Sequence, residues 1–590
     1  MKTLVIVESP TKAEKIQSYL GEDYIVIATK GHIADLAKNG DYNLGIDLDK
    51  EYKPRYITSD DRVDILKEIV YAIKKCDDIV LCSDPDREGE AISYHVYNRI
   101  VDYNKPIKRA VFHEITKKAI QKAISESRDL DMNLIRAQEA RRVLDRIVGF
   151  MASPYVCRTF DTKKLSAGRV QSVVTRLVVD KEKEILNFKP ETYWTAQVTL
   201  TDKKSNFIAK YENKITSQKE ADDIKSKLTG NNFDSVFEVI DVIDKEEKRN
   251  PPAPLITSSL QQVMSKQYKF SADKTAKVSQ ALFEAGYITY IRTDSPSISE
   301  DALQELRTYL KDNNLSHPAK PFRYESKGNA QEAHECIRPT DITLSPSNNF
   351  AMTDPDEKLL YEVVWKYFVA CQMTPAVYNT LKVSLREKVS NTLVKASGKA
   401  LKDSGYMTVL GVSDDSKIDI PQLTKGQVVY LTKNGVLVEK KQTKPPARFN
   451  EATLLKTLEV AGIGRPSTYA SLLTKINDRN YVEKKNEVYY PTELGTKVVD
   501  NLKAKFKFMD YDFTSKLEDR LDLIAAGKIT YLETVDLFFK QFKVELNKAY
   551  TDSGYNICDK CDSPMVVRKS KTGDFLGCSN FPNCRNLRKI

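Results

Sequence analysis

Residues Ile79-Val80-Leu81-Cys82-Ser83-Asp84-Pro85-Asp86-Arg87-Glu88-Gly89-Glu90 pass from an apolar run of strand length directly into a dense group of acids. A second apolar run, Thr3-Leu4-Val5-Ile6-Val7, ends in the same way, at Glu8. In an open α/β sheet, functional groups gather just beyond the carboxyl ends of such strands. We therefore expect Glu8 to meet Asp84, Asp86 and Glu88 at one edge of a sheet.

Four carboxylates in one place repel one another unless a cation lies among them. In an extended Asp-x-Asp-x-Glu segment, Asp84, Asp86 and Glu88 face the same way, which suits a single metal ion. A solvated acidic loop is the alternative, but the second strand that delivers Glu8 favours the metal site. Carboxylates and water are the ligands of Mg²⁺, usually in partnership with phosphate. The pattern predicts phosphodiester chemistry.

The bulk composition describes a large and mildly basic protein. A chain of 590 residues exceeds one hydrophobic core and predicts about three to five domains. Lys and Arg number 92 and Asp and Glu 82, so the net charge is +10, which favours a nucleic-acid partner only alongside other signals. No apolar run approaches the ~20 residues of a membrane span, and the early charge at Glu8 argues against a signal peptide. The sequence contains no Gly-x4-Gly-Lys-Ser/Thr motif, which argues against an ATP-driven motor of that kind.

The order of strand-like and helix-like segments divides the chain into blocks. Residues 1–130 alternate Val/Ile runs with helical stretches, which predicts a parallel sheet. Two proline-rich segments, Lys248–Pro254 and Lys441–Arg448, mark boundaries. The remaining blocks are helical (131–190), β-rich (191–250), helical (251–376), β-rich (377–449), helical (450–549) and a cysteine module (555–590). A helix-turn-helix-like pattern follows each boundary, although ordinary helix hairpins explain it equally well.

The segment Gly286-Tyr287-Ile288-Thr289-Tyr290-Ile291-Arg292-Thr293-Asp294-Ser295 contains a candidate nucleophile. On an extended segment Tyr290 and Arg292 project to the same side, where a guanidinium stabilises both a phenolate and a phosphate. The chain has 30 tyrosines, so chemistry alone does not single out Tyr290. His334 in Gln331–Pro339 and Lys12 near Glu8 are further candidates, but such lone residues are more often structural.

Two further segments indicate contacts with an anion. Arg141 and Arg142 precede Asp145 by about one helical turn, so at least one of them is expected to pair with it, and a surface salt bridge is the simpler explanation of that spacing. Ser166-Ala167-Gly168-Arg169-Val170-Gln171-Ser172 is a loop of small residues that opens a helix. Such loops present backbone N–H groups, and here Arg169, to a phosphate.

The C-terminus contains four of the nine cysteines in two close pairs. Cys558 and Cys561 are separated by two residues, and Cys578 and Cys584 by five. Two such pairs predict a tetrahedral zinc site. The alternative, a disulfide scaffold, would need an oxidising compartment, whereas the other cysteines are scattered and indicate a reducing one such as the cytoplasm. A module of fewer than ~40 residues needs the metal to fold, so the zinc is expected to be structural.

Together these motifs resemble a type IA DNA topoisomerase of the bacterial topoisomerase I type. The resemblance runs in order along essentially the whole chain, through Val5–Pro10, Asp84–Glu90, Ser166–Ser172, Gly286–Ser295, Gln331–Pro339 and Gly462–Tyr469. The sequences Tyr-Ile-Arg-Thr-Asp and His-Glu-Cys-Ile-Arg-Pro are closer to topoisomerase I than to topoisomerase III, in which proline usually precedes the arginine after the nucleophile.

The resemblance implies a multidomain fold of α/β, α and β parts. A Rossmann-like Toprim domain is expected within a toroidal, padlock-like architecture that carries a C-terminal zinc ribbon. The implied domains are Toprim (1–130), a discontinuous helical DNA-binding domain (131–190 and 450–549), a discontinuous β-rich arch or hinge (191–250 and 377–449), a helical domain with the catalytic tyrosine (251–376) and the ribbon (555–590).

The implied activity is ATP-independent relaxation of negatively supercoiled DNA. It proceeds through transient cleavage of a single strand, a 5′-phosphotyrosine intermediate, strand passage and religation. The implied catalytic residues are Tyr290 as nucleophile, Arg292, Glu8, Lys12 and His334. The implied DNA-binding residues are Arg142, Asp145, Arg169, Gln171, Arg465, Thr468 and His32. Mg²⁺ is assigned to Glu8, Asp84, Asp86 and Glu88, and Zn²⁺ to Cys558, Cys561, Cys578 and Cys584.

The expected partner is single-stranded and negatively supercoiled DNA, bound by a monomer in the cytoplasm and, in a bacterium, at the nucleoid. RNA stays open as an additional substrate, and no membrane partner is expected. The closest alternative is a topoisomerase III-like decatenase. A Toprim nuclease or primase shares the acids but has no need of the Tyr290 segment. A non-catalytic zinc-ribbon scaffold would bind DNA without cleaving it.

Overall fold

The structure is a computed structural model that describes residues 2–162, 164–230, 235–325, 334–347, 352–570 and 573–589. Its N-terminal unit alternates strands and helices, as the sequence predicts. The elements are β1 (Thr3–Val7), α1 (Pro10–Leu20), β2 (Tyr24–Ala28), β3 (Ala34–Leu36), β4 (Ile46–Asp47), β5 (Lys53–Pro54), β6 (Tyr56–Thr58), α2 (Val63–Ile73), β7 (Asp78–Leu81), α3 (Arg87–Ile100), β8 (Ile107–Arg109) and α4 (Lys117–Ser125). Four strands form a parallel sheet in the order β2-β1-β7-β8.

The central strand β1 is buried on both faces, which explains its continuous apolar sequence. Leu4 and Ile6 belong to a core with α2 and α3, whereas Val5 and Val7 belong to a core that also contains Phe283 and Tyr290. Strands β1 and β7 are paired in register from Thr3 opposite Asp78 to Ile6 opposite Leu81. The acids that follow the two strands therefore leave the sheet at the same edge.

The middle of the chain contributes helices and the strands of a barrel. Its first part contains α5 (Met132–Thr159), α6 (Gln171–Leu186), β9 (Thr192–Thr201), β10 (Asn206–Lys210), α7 (Gln218–Thr229) and β11 (Val236–Arg249). The segment that carries Tyr290, residues 251–376, follows and is called the tyrosine unit; its helices are α8 (Thr257–Tyr268), α9 (Ala272–Glu284), α10 (Glu300–Asp312) and α11 (Pro355–Ala370). The second part of the middle region contains β12 (Ala376–Glu387), β13 (Leu393–Asp403), α12 (Met407–Leu410) and β14 (Val428–Gln442).

Strands from both sides of the tyrosine unit close a single antiparallel barrel in the order β10-β13-β12-β11-β14-β9. Val198, Phe237, Leu385 and Val429 are among its fully buried core residues. Arg249 at the end of β11 pairs with Ala376 at the start of β12. The two connections of the tyrosine unit to the barrel therefore lie side by side.

The remaining helices form the C-terminal half of the helical region. They are α13 (Glu451–Val460), α14 (Tyr469–Asp478), then β15 (Val482–Lys485) and β16 (Val488–Pro491), followed by α15 (Glu493–Lys503), α16 (Tyr511–Ala525) and α17 (Tyr531–Asp552). Helix α5 packs against α16 and α17, so segments far apart in sequence share one core. The two helix pairs after the proline boundaries also meet, since α8 contacts α13 and α9 contacts α14.

A small antiparallel sheet ends the chain. It contains β17 (Met565–Ser570), β18 (Gly573–Cys578) and β19 (Leu587–Lys589). The module contacts the N-terminal unit through Asn580, whose amide accepts from the Tyr42 backbone N–H (3.1 Å) and donates to Asp41 (3.1 Å). Within the described ranges, no helix is both long and apolar enough to traverse a membrane.

Candidate functional site

The ends of β1 and β7 bring Glu8 and Asp84 together. The backbone N–H of Asp84 donates to Glu8 Oε1 (2.7 Å). Lys12 lies in the first turn of α1, where the Ser9 side chain caps the helix, and its ammonium forms a salt bridge with Asp84 Oδ1. Both partners of this salt bridge are almost fully buried, and Asp84 Oδ2 is buried without a hydrogen-bond partner. The edge of the sheet is therefore a crowded, water-poor ionic site.

The acids after β7 do not continue as an extended segment, so that prediction is wrong. Helix α3 begins at Arg87, with Asp86 as its N-cap: Asp86 Oδ1 accepts from the Gly89 N–H (2.8 Å). An N-cap aspartate and an acidic first turn are favoured at the positive end of a helix. Glu88 is thereby turned towards His32, with which it pairs, and it accepts from Gln138 Nε2 (3.2 Å).

The four acids consequently do not form a compact set of metal ligands in this structure. Among the described residues, only the four C-terminal cysteines bring three or more ligand atoms within 4.8 Å of one another. The expected repulsion between the carboxylates is offset by cationic side chains, because Lys12 pairs with Asp84 and Arg292 with Asp86. The Mg²⁺ site stays a prediction.

The packing of α3 against the Asp84 backbone explains why position 89 of the motif is a glycine. A Cβ placed on Gly89 would lie 2.1 Å from the carbonyl oxygen of Asp84 and 2.8 Å from its backbone nitrogen. Both neighbours are backbone atoms, which cannot turn away as a flexible side chain can. The close approach of α3 to the Asp84 backbone therefore requires the absence of a side chain at this position.

Tyr290 lies against the same edge of the sheet, with its hydroxyl aimed at the acids. The hydroxyl donates to Asp86 Oδ2 (2.6 Å), and Arg292 Nη1 lies 3.3 Å from the same oxygen. The Tyr290 backbone N–H donates to the His113 carbonyl (2.8 Å), which fixes the segment to the N-terminal unit. Tyr290 is 2% exposed, and its ring contacts those of Phe283 and His334. The structure thus brings Tyr290 and Arg292 to one carboxylate.

His334 supports the loop that carries the acids. Its Nε2 donates to the carbonyl oxygen of Pro85 (2.7 Å), between Asp84 and Asp86. Its ring lies edge-on to that of His113. Burial and the neighbouring His334 lower the pKa of His113 to about 4, so His113 is neutral at physiological pH. The preceding residues of this motif, Gln331–Ala333, lie outside the described residues.

Burial and mutual repulsion shift the pKa values at this site. Burial and the adjacent Asp84 raise the pKa of Glu8 to about 8, so its carboxyl group carries a proton at neutral pH. Burial and the Asp86 charge hold the pKa of Tyr290 well above its usual value. Burial alone would lower the pKa of Lys12, but the charges of Asp84 and Glu8 raise it by more. The net effect is a raised pKa, so Lys12 stays charged.

Arg169 joins the exposed Asp145 to a buried ion network centred on Glu518, which the sequence did not reveal. Arg169 Nε donates to Asp145 (2.9 Å), and its Nη1 donates to Glu518 Oε1 (2.6 Å). Arg141 pairs with the other oxygen of Glu518, and Arg142 pairs with Asp35. The expected pairing of Arg141 or Arg142 with Asp145 is therefore wrong, because Arg169 takes that place through tertiary contact.

The first three residues of the loop Ser166–Ser172 use their backbone donors within the protein. The N–H groups of Ser166, Ala167 and Gly168 donate to the side chains of Tyr481, Ser153 and Ser172. Arg169 is 1% exposed. The loop is thus held by the protein itself, and its arginine faces the interior.

Arg465 and Thr468 form a second arginine site beside the first. Arg465 Nη2 donates to Asp522 (2.7 Å), which also accepts from Arg87 Nη2 (2.6 Å), the residue after Asp86. Thr468 Oγ1 accepts from the Arg465 N–H (3.0 Å) and fixes this turn. Asp522 therefore links α16 to the start of α3, a link between distant segments that no sequence pattern signals.

A basic cavity of about 520 Å³ gathers three of the predicted DNA-binding residues, Arg142, Asp145 and Gln171. Its other charged lining residues are Lys38, Arg146, Lys475 and Arg479. The amide nitrogen of Gln171 is buried without a hydrogen-bond partner. Such a donor beside an excess of cations fits a phosphate or a base edge. His32 lies apart from this lining, paired with Glu88.

The four C-terminal cysteines form a metal centre. The Cys558 and Cys584 sulfurs are 3.8 Å apart and the Cys561 and Cys578 sulfurs 3.3 Å apart. A tetrahedron with Zn–S bonds of about 2.3 Å has edges of about 3.8 Å, so the cluster fits Zn²⁺. Asn586 Nδ2 donates to Cys558 Sγ (3.1 Å), as an outer hydrogen bond to a thiolate does.

Comparisons with known proteins agree with this geometry. Residues 129–536 match the family described as DNA topoisomerase, residues 3–115 match the Toprim domain, and residues 555–590 match the topoisomerase DNA binding C4 zinc finger. The chain is similar to a solved structure of full-length topoisomerase I from Thermotoga maritima, with 32% sequence identity and a TM-score of 0.81. That match covers 100% of this chain and 97% of the other.

The fold and the site thus define a type IA DNA topoisomerase, an isomerase of DNA. The chain belongs to the DNA topoisomerase family represented by these matches, and within it to the bacterial topoisomerase I type. The family makes DNA its substrate, and the cysteine centre is a structural zinc site. Both the recognition from sequence and the multidomain fold class are confirmed.

Proposed function

We propose that the chain relaxes negatively supercoiled DNA by cutting one strand transiently, passing another strand through the break and resealing it. The observation that carries this proposal is the Tyr290 hydroxyl, 2.6 Å from Asp86 Oδ2, on the same carboxylate as Arg292. A phenol held beside an acceptor and a guanidinium has the surroundings of an activated nucleophile.

In the proposed cleavage step, the Tyr290 oxygen attacks the phosphorus of a phosphodiester. The bond from phosphorus to the 3′ oxygen breaks, leaving a 5′-phosphotyrosine and a free 3′-OH. In this proposal Asp86 accepts the phenol proton, and Glu8, which holds a proton at neutral pH, supplies one to the leaving oxygen. Arg292 and Lys12 would stabilise the charge on the phosphate, by a few kcal/mol each at most. Because one ester replaces another, no nucleotide is consumed, and torsional strain in the DNA sets the direction.

Glu8, Asp84, Asp86 and Glu88 are proposed to hold Mg²⁺. The unpartnered buried oxygen Asp84 Oδ2 and the all-oxygen donor set fit this hard cation. Since the carboxylates are paired with Lys12, Arg292 and His32 in the closed state, they must regroup to bind it. When bound, the ion orients the phosphate and the 3′ end for resealing.

The proposed reaction requires the tyrosine unit to move. Tyr290 shares a continuous hydrophobic core with Val5 and Val7 of the N-terminal sheet, so a strand reaches it only when that contact opens. The two connections of the unit to the barrel, at Arg249 and Ala376, are adjacent and can act as one hinge. The domain division given from sequence, with the barrel as arch and the tyrosine unit as gate, is proposed on this basis.

Single-stranded DNA is proposed to enter along the basic cavity lined by Arg142, Asp145 and Gln171. Arg169, Arg465 and Thr468 would act there by holding the backbone that surrounds the cavity. We propose that the protein acts on DNA as a monomer, with RNA as an additional substrate.

The test compares Tyr290→Phe with the matched change Tyr287→Phe in the same segment. Relaxation of a negatively supercoiled plasmid should be lost only in Tyr290→Phe, while both variants bind a single-stranded oligonucleotide with unchanged affinity. Relaxation by Tyr290→Phe, or cleavage that leaves free ends without an adduct, would contradict the proposal. Decatenation measured on the same preparations separates relaxation from the decatenase alternative.

The Mg²⁺ assignment has its own test. Asp84→Asn combined with Glu88→Gln leaves the proposed proton acceptor Asp86 in place, and it should raise the Mg²⁺ concentration needed for relaxation in protein first treated with EDTA. The pair Asp77→Asn and Asp78→Asn, on the opposite end of β7, serves as the control. An unchanged Mg²⁺ dependence in the Asp84/Glu88 variant would remove these residues from the metal site.

A further inference from the structure

A second cavity, of about 390 Å³, lies beside Arg292 on the side of the tyrosine unit. Its walls are α8 and α9 of that unit, with residues 466–471 at the start of α14 opposite them. Its volume is within the range of ligand-binding cavities. Because its two walls belong to the tyrosine unit and to the C-terminal helices, the cavity is complete only when the gate is closed.

Two glutamines that line this cavity have buried amide oxygens without partners. Gln261 is 3% exposed, and its Oε1 has no hydrogen-bond partner. Gln280 Oε1 is likewise buried and unpaired, while its amide nitrogen donates to Glu284 (2.8 Å), which settles the orientation of the amide. Leaving a buried acceptor unpaired costs free energy, so two such groups in one wall indicate a missing donor.

The chemistry of the reaction indicates what supplies that donor. In the proposed function, on which this inference rests, the 5′ phosphate stays on Tyr290, and the nucleotide attached to it stays with the tyrosine unit. The basic cavity around Arg142 and Gln171 is lined mainly by α5, the 166–171 loop and α14, outside the tyrosine unit, and would hold the strand that ends in the 3′-OH. The cavity beside Arg292 is then available to the first nucleotide on the other side of the break.

We infer that this cavity holds the nucleotide immediately 3′ of the break, and that Gln261 and Gln280 select a base with an exocyclic amino group there. Glutamine oxygens accept from such amino groups, as in the pairing of glutamine with adenine. Ser467 and Ser471, on the facing wall, add hydroxyl groups that suit a sugar or phosphate. The two glutamines are thus specificity-determining residues carried by the gate, and they travel with the covalently bound end.

The test changes a single amino group in the DNA. Oligonucleotides that are identical except for adenine or purine (adenine without its amino group) in the first position after the break are incubated with the full-length protein. Adducts are then trapped with detergent and quantified. Adenine should give about fivefold to tenfold more adduct at equilibrium, as expected for one well-made hydrogen bond to a buried group.

The protein arm uses Gln261→Met together with Gln280→Met, with Gln267→Met on the exposed side of α8 as the control. The paired variant should form adduct with both oligonucleotides at a ratio near one, whereas the control keeps the wild-type ratio. Because both oxygens are unpaired, methionine of similar shape should keep the fold, which a melting curve checks.

Each outcome decides the inference. Equal adduct from adenine and purine with the wild-type protein shows that Gln261 and Gln280 do not read the amino group, and it overturns the inference without variants. A preference that survives in the paired variant places the selection elsewhere and also overturns it. Failure of every oligonucleotide to form an adduct refutes the proposed function itself, and the base selection with it.

Discussion

Replacing Glu518 with glutamine tests the ion network that holds α16 against α5 and the loop before α6. Glu518 is fully buried and binds Arg169 (2.6 Å) and Arg141 through its two oxygens. Although burial opposes ionisation, these arginines and Arg465 lower the pKa of Glu518 to about 2, from the usual value of 4.5 for a glutamate. Each unit of pKa shift corresponds to about 1.36 kcal/mol, so this lowering of the Glu518 pKa on folding stabilises the folded state by roughly 3 kcal/mol at neutral pH. Removing one partner of a buried ion pair costs about 3 to 5 kcal/mol, in agreement.

Hydrogen exchange read by mass spectrometry on peptides from α5 and α16 measures this loss locally, which suits a multidomain chain. The free energy of opening should fall by about 3 to 5 kcal/mol in Glu518→Gln at neutral pH. It should change by less than about 0.5 kcal/mol in the control Asp519→Asn, whose side chain is half exposed. Equal effects of the two changes would refute the reasoning.

The same variant has a predicted pH dependence. A carboxyl whose pKa is depressed on folding adds stability above its unfolded pKa and loses it as the pH falls towards its folded pKa. The stability difference between wild type and Glu518→Gln should therefore be largest at neutral pH. It should narrow by roughly 2 kcal/mol at pH 3. A difference that does not change with pH would show that the network does not depend on the Glu518 charge.

Three further predictions concern the site itself. Gly89→Ala should destabilise the N-terminal unit by several kcal/mol and abolish relaxation, because its Cβ meets the Asp84 carbonyl at 2.1 Å. The control Gly149→Ala lies inside α5 with open space around it, so it should leave the melting temperature unchanged or raise it slightly. Cys561→Ser should lower the zinc content, measured by elemental analysis, from one ion per chain, and a full complement would contradict the tetrahedral centre. Lys12→Met should reduce the rate of adduct formation by about 10²-fold with little change in oligonucleotide affinity; an unchanged rate would remove Lys12 from catalysis.

Sequence patterns predicted the elements whose signal is local. The apolar runs of β1 and β7 indicated neighbouring parallel strands, and the cysteine spacing indicated the zinc site. The extended form of Asp84–Glu88 was wrong because Asp86 caps a helix, a preference that competes with strand alternation. The partner of Asp145 was also wrong, and Glu518 and Asp522 were missed. From α16, Glu518 binds Arg169 and Arg141, and Asp522 binds Arg87, each more than three hundred residues away in sequence. A salt bridge across that separation leaves no periodicity to detect.

The pairing of strands from both sides of the tyrosine unit into one barrel depends on tertiary contact, so it was implied only by the family resemblance and not by any periodicity of the residues. What the sequence did contain was the order of blocks, which placed two β-rich segments on either side of a helical one. The contact of Tyr290 with the N-terminal unit was not predictable, because the bond from its hydroxyl to Asp86 joins side chains that lie 204 residues apart in sequence.

The most direct measurement is mass spectrometry of the adduct that forms when the wild-type protein is mixed with single-stranded DNA and denatured with detergent. A peptide from residues 286–295 should carry a nucleotide 5′ phosphate on Tyr290. A modification on another residue, or DNA that is cut without remaining attached to the protein, would contradict it.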